Sequence, residues 1–187
     1  GYLINELMKL SMPAECSKCC LQLLSSICLM NSECARLVID SIDMENEIFY
    51  KACNRRDVKD SKDVRTCYIY LVASILMTGD KHLIRMILER KGVVVRIFPG
   101  LVYDSVSTIQ IILATIQFHV VENLGLSKTL KLKTFSEHSV EHLINLFSWR
   151  GPQSWQKVQN SEYKSMVPVN VEDHKIVVKV LQDFLIS

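Results

Sequence analysis

The sequence predicts an all-α fold, and three observations support this prediction. Glycine and proline are sparse among the 187 residues, with six and four copies, and the Asn-Gly and Asp-Gly pairs of β-hairpin turns are absent. Most apolar residues recur at the spacing of an amphipathic helix. The apolar run 104–122 contains neither Gly nor Pro and is too long for an ordinary strand, although β-branched residues are frequent in it.

This run predicts the central packing element of the protein. Its apolar residues lie on more than one side of a helix, so it needs neighbours on two faces. Asp104 or Ser105 can cap its start, and Gly125 stands just past its end. Ile112 and Ile116 lie in its middle and are expected in the core.

The first third of the chain predicts three helices. The first spans about 3–10, with Leu3, Ile4, Leu7, Met8 and Leu10 at helical spacing, and the second runs from Pro13 to about Met30. The predicted core stripe of the second helix is Cys16, Cys19, Cys20, Leu23, Leu24 and Ile27. Asn31 or Ser32 can cap the third, which presents Leu37, Val38 and Ile42 and continues more weakly through Ile48 and Phe49 to Cys53.

A charged break over 54–63 precedes a predicted helix pair over 60–91. Asp60 or Ser61 starts the first helix and Gly79 ends it, while Asp80 caps the second and Gly92 closes it. The first stripe comprises Val64, Cys67, Tyr68, Leu71, Val72, Ile75 and Leu76, and the second comprises Leu83, Ile84, Ile87 and Leu88.

The second half repeats this pattern. After a connector containing Pro99 and Gly100, the central helix is followed by predicted helices over 127–135 and 136–147. Residues 148–170 are polar and irregular, with Trp149, Trp155 and Tyr163 as anchors. Asn170 then caps a final helix whose stripe is Ile176, Val177, Val180, Leu181, Phe184 and Leu185.

Helix starts at Asp60 and Asp104 are 44 residues apart, from 104 − 60, which lies within the roughly 40 to 47 residue period of HEAT and armadillo arrays. The sequence therefore predicts an armadillo- or HEAT-like, right-handed α-solenoid of stacked antiparallel helix pairs. We expect one such fragment of a longer protein over 1–187. Its predicted parts are a first helical layer over 1–53, the break at 54–63, central repeats over 64–149, a linker over 150–170 and a helix over 171–187.

Composition excludes several classes of function. With 22 basic and 20 acidic residues the net charge is +2, so no global field indicates a nucleic-acid or acidic partner. No signal peptide or membrane span is predicted. The seven cysteines are read as free thiols of a reducing compartment, which leaves cytosol, nucleus and nucleolus open. No Gly-rich phosphate loop or nucleophile elbow occurs, so no cofactor or small-molecule substrate is predicted.

Two groupings resemble zinc sites. His138, Glu141 and His142 form an H-x-x-E-H motif, but the predicted core stripe Val140, Leu143, Ile144 and Phe147 would turn both histidines toward water. Cys16, Cys19 and Cys20, with Cys28 and Cys34 nearby, lack the second knuckle of a structural zinc site and are explained as core thiols.

Two basic groupings are candidate contacts for RNA or a protein partner. Arg55, Arg56 and Lys59 lie in the charged break, with Lys62 and Arg65 beside them, while Lys128, Lys131 and Lys133 lie on the short helix after Gly125. Acidic residues partly neutralise the first grouping, and neither grouping alternates with aromatic residues. A solvated charged surface is the alternative interpretation of both.

The segment 63–149 carries a family resemblance. It contains an Asp-Val-Arg helix opening, a Gly-Leu-Val-Tyr-Asp run before a Thr-Ile-rich helix that ends in Val-Glu-Asn, and Ser-Lys-Thr-Leu-Lys ahead of Leu-Phe-Ser-Trp. In this order and spacing, these motifs resemble the N-terminal region of the nucleolar pre-ribosomal-associated protein 1 family, whose members are long α-helical proteins.

The resemblance implies an armadillo- or HEAT-like, non-enzymatic scaffold in early nucleolar assembly of the large (60S) ribosomal subunit and in pre-rRNA processing. It implies work beside other assembly factors, including a DEAD-box helicase, and pre-ribosomal RNA. It assigns no catalytic residue. Two alternatives remain: a HEAT or armadillo adaptor of transport or signalling, and a zinc hydrolase that uses the His138 motif.

Overall fold

The computed structural model describes residue 2 and residues 13–41, 61–91, 93–135, 137–152 and 170–186, apart from the side chains at 61, 62, 90, 91, 133, 137 and 138. In these ranges every regular element is helical, which confirms the all-α prediction. The helices are α1 (Ala14–Cys28), α2 (Ser32–Ser41), α3 (Ser61–Leu76), α4 (Lys81–Met86), α5 (Val93–Ile97), α6 (Val106–Ile116), α7 (Lys128–Thr134), α8 (Glu137–Ile144) and α9 (Val171–Ile186). None of them is both long and apolar enough to cross a membrane.

Helices α3 and α6 form the centre of the fold. Helix α3 packs against α1 on one side and α6 on another, and α6 also contacts α9. Ile109, Ile112, Leu113 and Ile116 of α6 have no exposed surface, which confirms the predicted central helix. The Ser105 side chain caps α6 by accepting a hydrogen bond from the Thr108 backbone N–H at 3.3 Å. The helix then continues as a π-helical segment, Gln117–Val121.

The predicted helix pair 60–91 is present as α3 and α4, which contact each other. Gly79 ends α3 in the left-handed region, at φ +70°, where a side chain would be strained. Asp80 caps α4 by accepting from the backbone N–H groups of His82 at 2.8 Å and Leu83 at 3.1 Å. Every residue of both predicted stripes is buried, and a π-helical segment, Ile87–Lys91, extends α4.

The connector between this pair and the central helix is more ordered than the sequence indicated. It forms α5 and a 3₁₀ segment, Phe98–Tyr103, with Pro99 in the first turn. The reason is its apolar content, because burying these side chains offsets the cost of ordering the backbone. The buried residues are Val93, Val94, Ile97, Phe98 and Leu101.

The predicted core faces of α1 and α2 are wrong in part. Leu24 of α1 and Val38 of α2 are buried, but Leu23, Ile27 and Leu37 are 64%, 42% and 58% exposed. Cys19 is exposed, and Cys16 and Cys20 are only half-buried. The buried stripe of α1 is Ser17, Leu21, Leu24 and Cys28. The small Ser17 lies on this stripe beside the apolar residues that pack on α3, a position that hydropathy alone does not assign to it.

The predicted face of α8 is wrong in the same way. Leu143 is buried as expected, but Val140, Ile144 and Phe147 are 37%, 53% and 43% exposed. Their places in the core are taken by Ser139 and Leu146, which have no exposed surface. A 3₁₀ segment, Asn145–Ser148, tightens the end of this helix and changes the phase of its last turn.

Helix α9 begins as predicted, because the Asn170 side chain accepts from the Glu172 backbone N–H at 3.1 Å. Val177, Leu181 and Phe184 are buried and Val180 is half-buried, whereas Ile176 and Leu185 at the edges of the stripe are 40% and 48% exposed. Several predictions lie outside the described residues: the helix over 3–10, the segment 42–60 with its charged break, Gly92, and the anchors Trp155 and Tyr163.

Candidate functional site

The structure places the predicted basic residues in different environments. Arg55, Arg56 and Lys59 lie outside the described residues, as does the side chain of Lys133. Lys128 is exposed at the first position of α7, after Ser127 caps the helix by accepting from the Leu130 backbone N–H at 3.2 Å.

Lys131, one turn further along α7, is half-buried. Its Nζ donates a 2.6 Å hydrogen bond to the backbone oxygen of Val121 at the end of the π-helical segment. A cation at a helix C-terminus satisfies a carbonyl that has no partner within the helix and interacts favourably with the helix dipole. Lys131 therefore attaches α7 to the central helix.

Arg65 does not belong to the exposed basic grouping in which the sequence placed it. It lies in the first turns of α3 and is 2% exposed. Its Nε donates to both carboxylate oxygens of Asp104, at 2.9 and 3.1 Å, and its Nη2 donates to Asp104 Oδ2 at 2.8 Å. The same Nη2 donates to the backbone oxygen of Ile97 at 2.8 Å.

Asp104 is 6% exposed and is also bound through its backbone. The indole Nε1 of Trp149 donates to the Asp104 backbone oxygen at 2.9 Å, and Trp149 is 5% exposed. The backbone N–H groups of Arg150 and Gly151 donate to the Val102 oxygen at 3.0 and 3.3 Å. We call Arg65, Asp104 and Trp149 the Arg65 cluster.

Gly100 makes room for this cluster. A Cβ atom at position 100 would lie 2.5 Å from Cζ and Nη2 of Arg65, which is closer than real Cβ contacts. Because hydrogen bonds to Asp104 and Ile97 hold the guanidinium, it cannot move aside without breaking them. The glycine therefore lets the guanidinium lie against the backbone of the 3₁₀ segment.

The chemistry of the Arg65 cluster is structural. A buried charge is tolerated when it is paired and hydrogen-bonded, and here a bidentate carboxylate and a carbonyl surround the guanidinium. The hydrogen bonds join the start of α3, the 3₁₀ segment before α6 and the chain after α8. These three segments are far apart in sequence, so the cluster fixes how the central helices pack.

Sequence reasoning missed this cluster, although two signals were present. Arg65 lies four and seven residues before Ile69 and Val72, which are both fully buried, so the periodicity places it on a core face of α3. Asp104 and Ser105 were both candidate caps for α6, and one cap was sufficient. The carboxylate that was not needed as a cap binds Arg65.

The described residues hold no group of three His, Cys, Asp or Glu side chains that could bind a metal ion. The side chain of His138 lies outside the described part of the chain, while Glu141 is exposed and His142 half-buried. The six cysteines in the described ranges are free thiols. Burial raises the pKa of the Cys28 thiol from 9.0 to about 11, and it also raises the pKa of the Cys67 thiol.

Comparison with known proteins identifies the family. The family model described as Ribosome 60S biogenesis N-terminal matches residues 3–187. The chain belongs to this family. It is 33% identical over 136 residues to nucleolar pre-ribosomal-associated protein 1 of Mus musculus and to the protein of that name from Homo sapiens. The alignment covers 72% of this chain but only 6% of each relative. No solved structure matches the chain.

The family resemblance and the Arg65 cluster involve the same residues. Arg65 ends the Asp-Val-Arg motif, Gly100 and Asp104 are the first and last residues of Gly-Leu-Val-Tyr-Asp, and Trp149 ends Leu-Phe-Ser-Trp. In this member of the Ribosome 60S biogenesis N-terminal family, the three motifs are brought into contact by hydrogen bonds between buried groups.

Proposed function

We propose that this chain is a non-enzymatic helical scaffold in early nucleolar assembly of the large ribosomal subunit. The observation that carries the proposal is the family match over residues 3–187. The two relatives are named as nucleolar and pre-ribosome-associated proteins, which supports the same process and location for this chain. The aligned part of the chain spans about 6% of the length of each relative.

The form of the scaffold is an α-solenoid of stacked antiparallel helix pairs, with central repeats over 64–149. The packing of α3 between α1 and α6, and of α6 between α3 and α9, supports a layered arrangement. Stacked helices bury a continuous core and leave long surfaces for partners, which suits assembly without catalysis. The Arg65 cluster holds two of these layers in register from inside the core.

The proposed partners are pre-ribosomal RNA, a DEAD-box helicase and other large-subunit assembly factors. Among the residues predicted to bind RNA or protein, exposed Lys128 is available to a partner in this structure. Arg55, Arg56, Lys59 and Lys133 remain candidates on the same grounds of charge. Lys131 contributes less, because its ammonium is bound to the Val121 carbonyl.

Affinity purification of the tagged protein from nuclear extract, followed by gradient sedimentation, tests this proposal. The expected result is co-sedimentation with particles that contain large-subunit precursor RNA and early assembly factors. An untagged strain and a tagged nuclear protein of similar size serve as controls. A protein that sediments free of ribosomal precursors would refute the proposed function.

A further inference from the structure

Helix α1 has a second apolar face beside the stripe that packs on α3. Leu23 and Ile27 are 64% and 42% exposed, and Cys16 and Cys20 are half-buried. In an α-helix these side chains fall on one stripe, about 100° around the axis from the stripe that packs on α3. We call them the outer face of α1. Since a helix with two apolar faces needs a neighbour on each, the outer face is expected to have a partner.

The segment 3–12 is joined directly to the start of α1. Pro13, the residue before α1, has φ −55° and ψ 140°, which is extended rather than helical backbone. The residue before a proline is itself disfavoured in a helix. A helix over 3–10, which the sequence predicts, would therefore be joined to α1 by a connection of about three residues, and connections of this length join antiparallel helices.

The apolar residues of this segment match the outer face in spacing. Leu3, Leu7 and Leu10 lie four and three residues apart, as Cys16, Cys20 and Leu23 do. A helix over 3–10 is about 12 Å long, so together with its connection it reaches from Pro13 as far as Leu23. In an antiparallel arrangement the facing pairs are Leu10 with Cys16, Leu7 with Cys20 and Leu3 with Leu23.

We propose that the segment 3–12 docks as a helix on the outer face of α1, antiparallel to it. The covalent connection at Pro13 holds the segment at a high effective concentration beside this face, which favours it over a separate partner. Its polar residues Asn5, Glu6 and Lys9 then lie away from α1. Cys19 lies about 70° around α1 from the centre of the face, so its thiol stays accessible. The proposal concerns the start of the fold and does not rest on the proposed function.

Hydrogen exchange followed by mass spectrometry on the purified protein tests the proposal. The amide hydrogens of residues 7–10 are those that have a carbonyl partner within a helix over 3–10. They should exchange at least about tenfold more slowly than in an isolated peptide of residues 1–12, because that peptide is too short to hold a helix in water. A tenfold factor corresponds to about 1.4 kcal/mol, which is less than the burial of one leucine side chain contributes.

Two aspartate variants show where the segment docks. Leu23→Asp places a charge on the outer face and should remove the protection of residues 7–10. Leu37→Asp is the matched control, because Leu37 is 58% exposed on α2 and lies outside that face, so the protection should be unchanged. Protected amides of α3 show in the same experiment that each variant is folded. Exchange of the parent protein as fast as the peptide, protection that survives Leu23→Asp, or equal loss in both variants would each overturn the proposal.

Leu7→Asp tests the same contact from the side of the segment. The half-buried thiol of Cys20, whose pKa is raised by burial, should then be alkylated at least about tenfold faster, while exposed Cys19 should react at its parental rate. An unchanged rate at Cys20 would contradict the predicted pairing. Protection of residues 7–10 that rises with protein concentration would mean that a second copy supplies the segment, and it would overturn docking within one chain.

Discussion

Removing the carboxylate of the Arg65 cluster should destabilise the protein strongly. Asp104→Ala leaves the guanidinium of Arg65, which is 2% exposed, without its counter-charge, while its hydrogen bond to the Ile97 carbonyl remains. Breaking a buried ion pair by removing one partner costs about 3–5 kcal/mol. The Trp149 hydrogen bond is retained, because it is made to the backbone oxygen of residue 104. The measured effect therefore belongs to the side-chain pair.

Urea denaturation followed by circular dichroism measures this cost. With a slope near 2 kcal/mol per molar urea, the midpoint should fall by about 1.5–2.5 M while the slope stays constant. Asp183→Ala is the matched control, since Asp183 is exposed on α9 and its removal should change the free energy of unfolding by less than about 0.5 kcal/mol. Adding Arg65→Met to Asp104→Ala should recover part of the stability, because the uncompensated charge is then gone. A single Asp104→Ala variant as stable as the control would refute the reasoning.

Three further predictions concern single positions. Gly100→Ala should lower the melting temperature markedly, because the added methyl group would meet the guanidinium of Arg65, which hydrogen bonds hold in place. Gly125→Ala is the control and should be tolerated, because its methyl group would meet only the flexible end of the exposed Lys81 side chain. Equal decreases in the two melting temperatures would contradict this prediction. Burial lowers the pKa of His119 below its usual 6.5, because it disfavours the charged imidazolium. The contribution of neutral His119 to the free energy of unfolding is therefore fully present above pH 6.5, and it is lost as the pH falls through the lowered pKa of the folded protein. In urea titrations His119→Gln should lose less stability on acidification than the parent, and identical pH profiles would argue against this role. In native alkylation followed by mass spectrometry, Cys19, which is exposed, should react first among the six cysteines that the structure describes, and Cys28, with a pKa of about 11, should react last. The reverse order of these two would contradict their burial.

Local signals in the sequence were sufficient to place most helices. Caps at Asp80 and Asn170 act as predicted, because a side-chain oxygen that satisfies a free backbone N–H depends only on neighbouring residues. The two stripes over 60–91 were also correct. Their apolar residues outnumber polar ones so strongly that only one face can be buried.

The faces of α1 and α8 could not be derived in this way. In α1, Leu23 and Leu24 belong to adjacent stripes of similar hydropathy, and packing on α3 selects the stripe of Leu24. In α8, buried Ser139 takes a position that hydropathy assigns to solvent. The choice between neighbouring stripes is made by tertiary packing, which periodicity does not encode.

The Arg65 cluster shows a second limit of sequence reasoning. Charged residues are exposed by default, so Arg65 was grouped with the basic residues of the preceding break. Its partner lies 39 residues away, and only the three-dimensional arrangement brings them together.

Depletion of the protein from its own cells, with pulse labelling of newly made ribosomal RNA, tests the central claim most directly. If the chain belongs to a scaffold for early large-subunit assembly, mature large-subunit RNA should fail to accumulate while small-subunit RNA continues to be made. Restoring the parent protein should reverse the defect, and restoring Asp104→Ala should reverse it less completely, because loss of the buried ion pair destabilises the packing of the central helices. Unchanged production of large-subunit RNA after depletion would contradict the account.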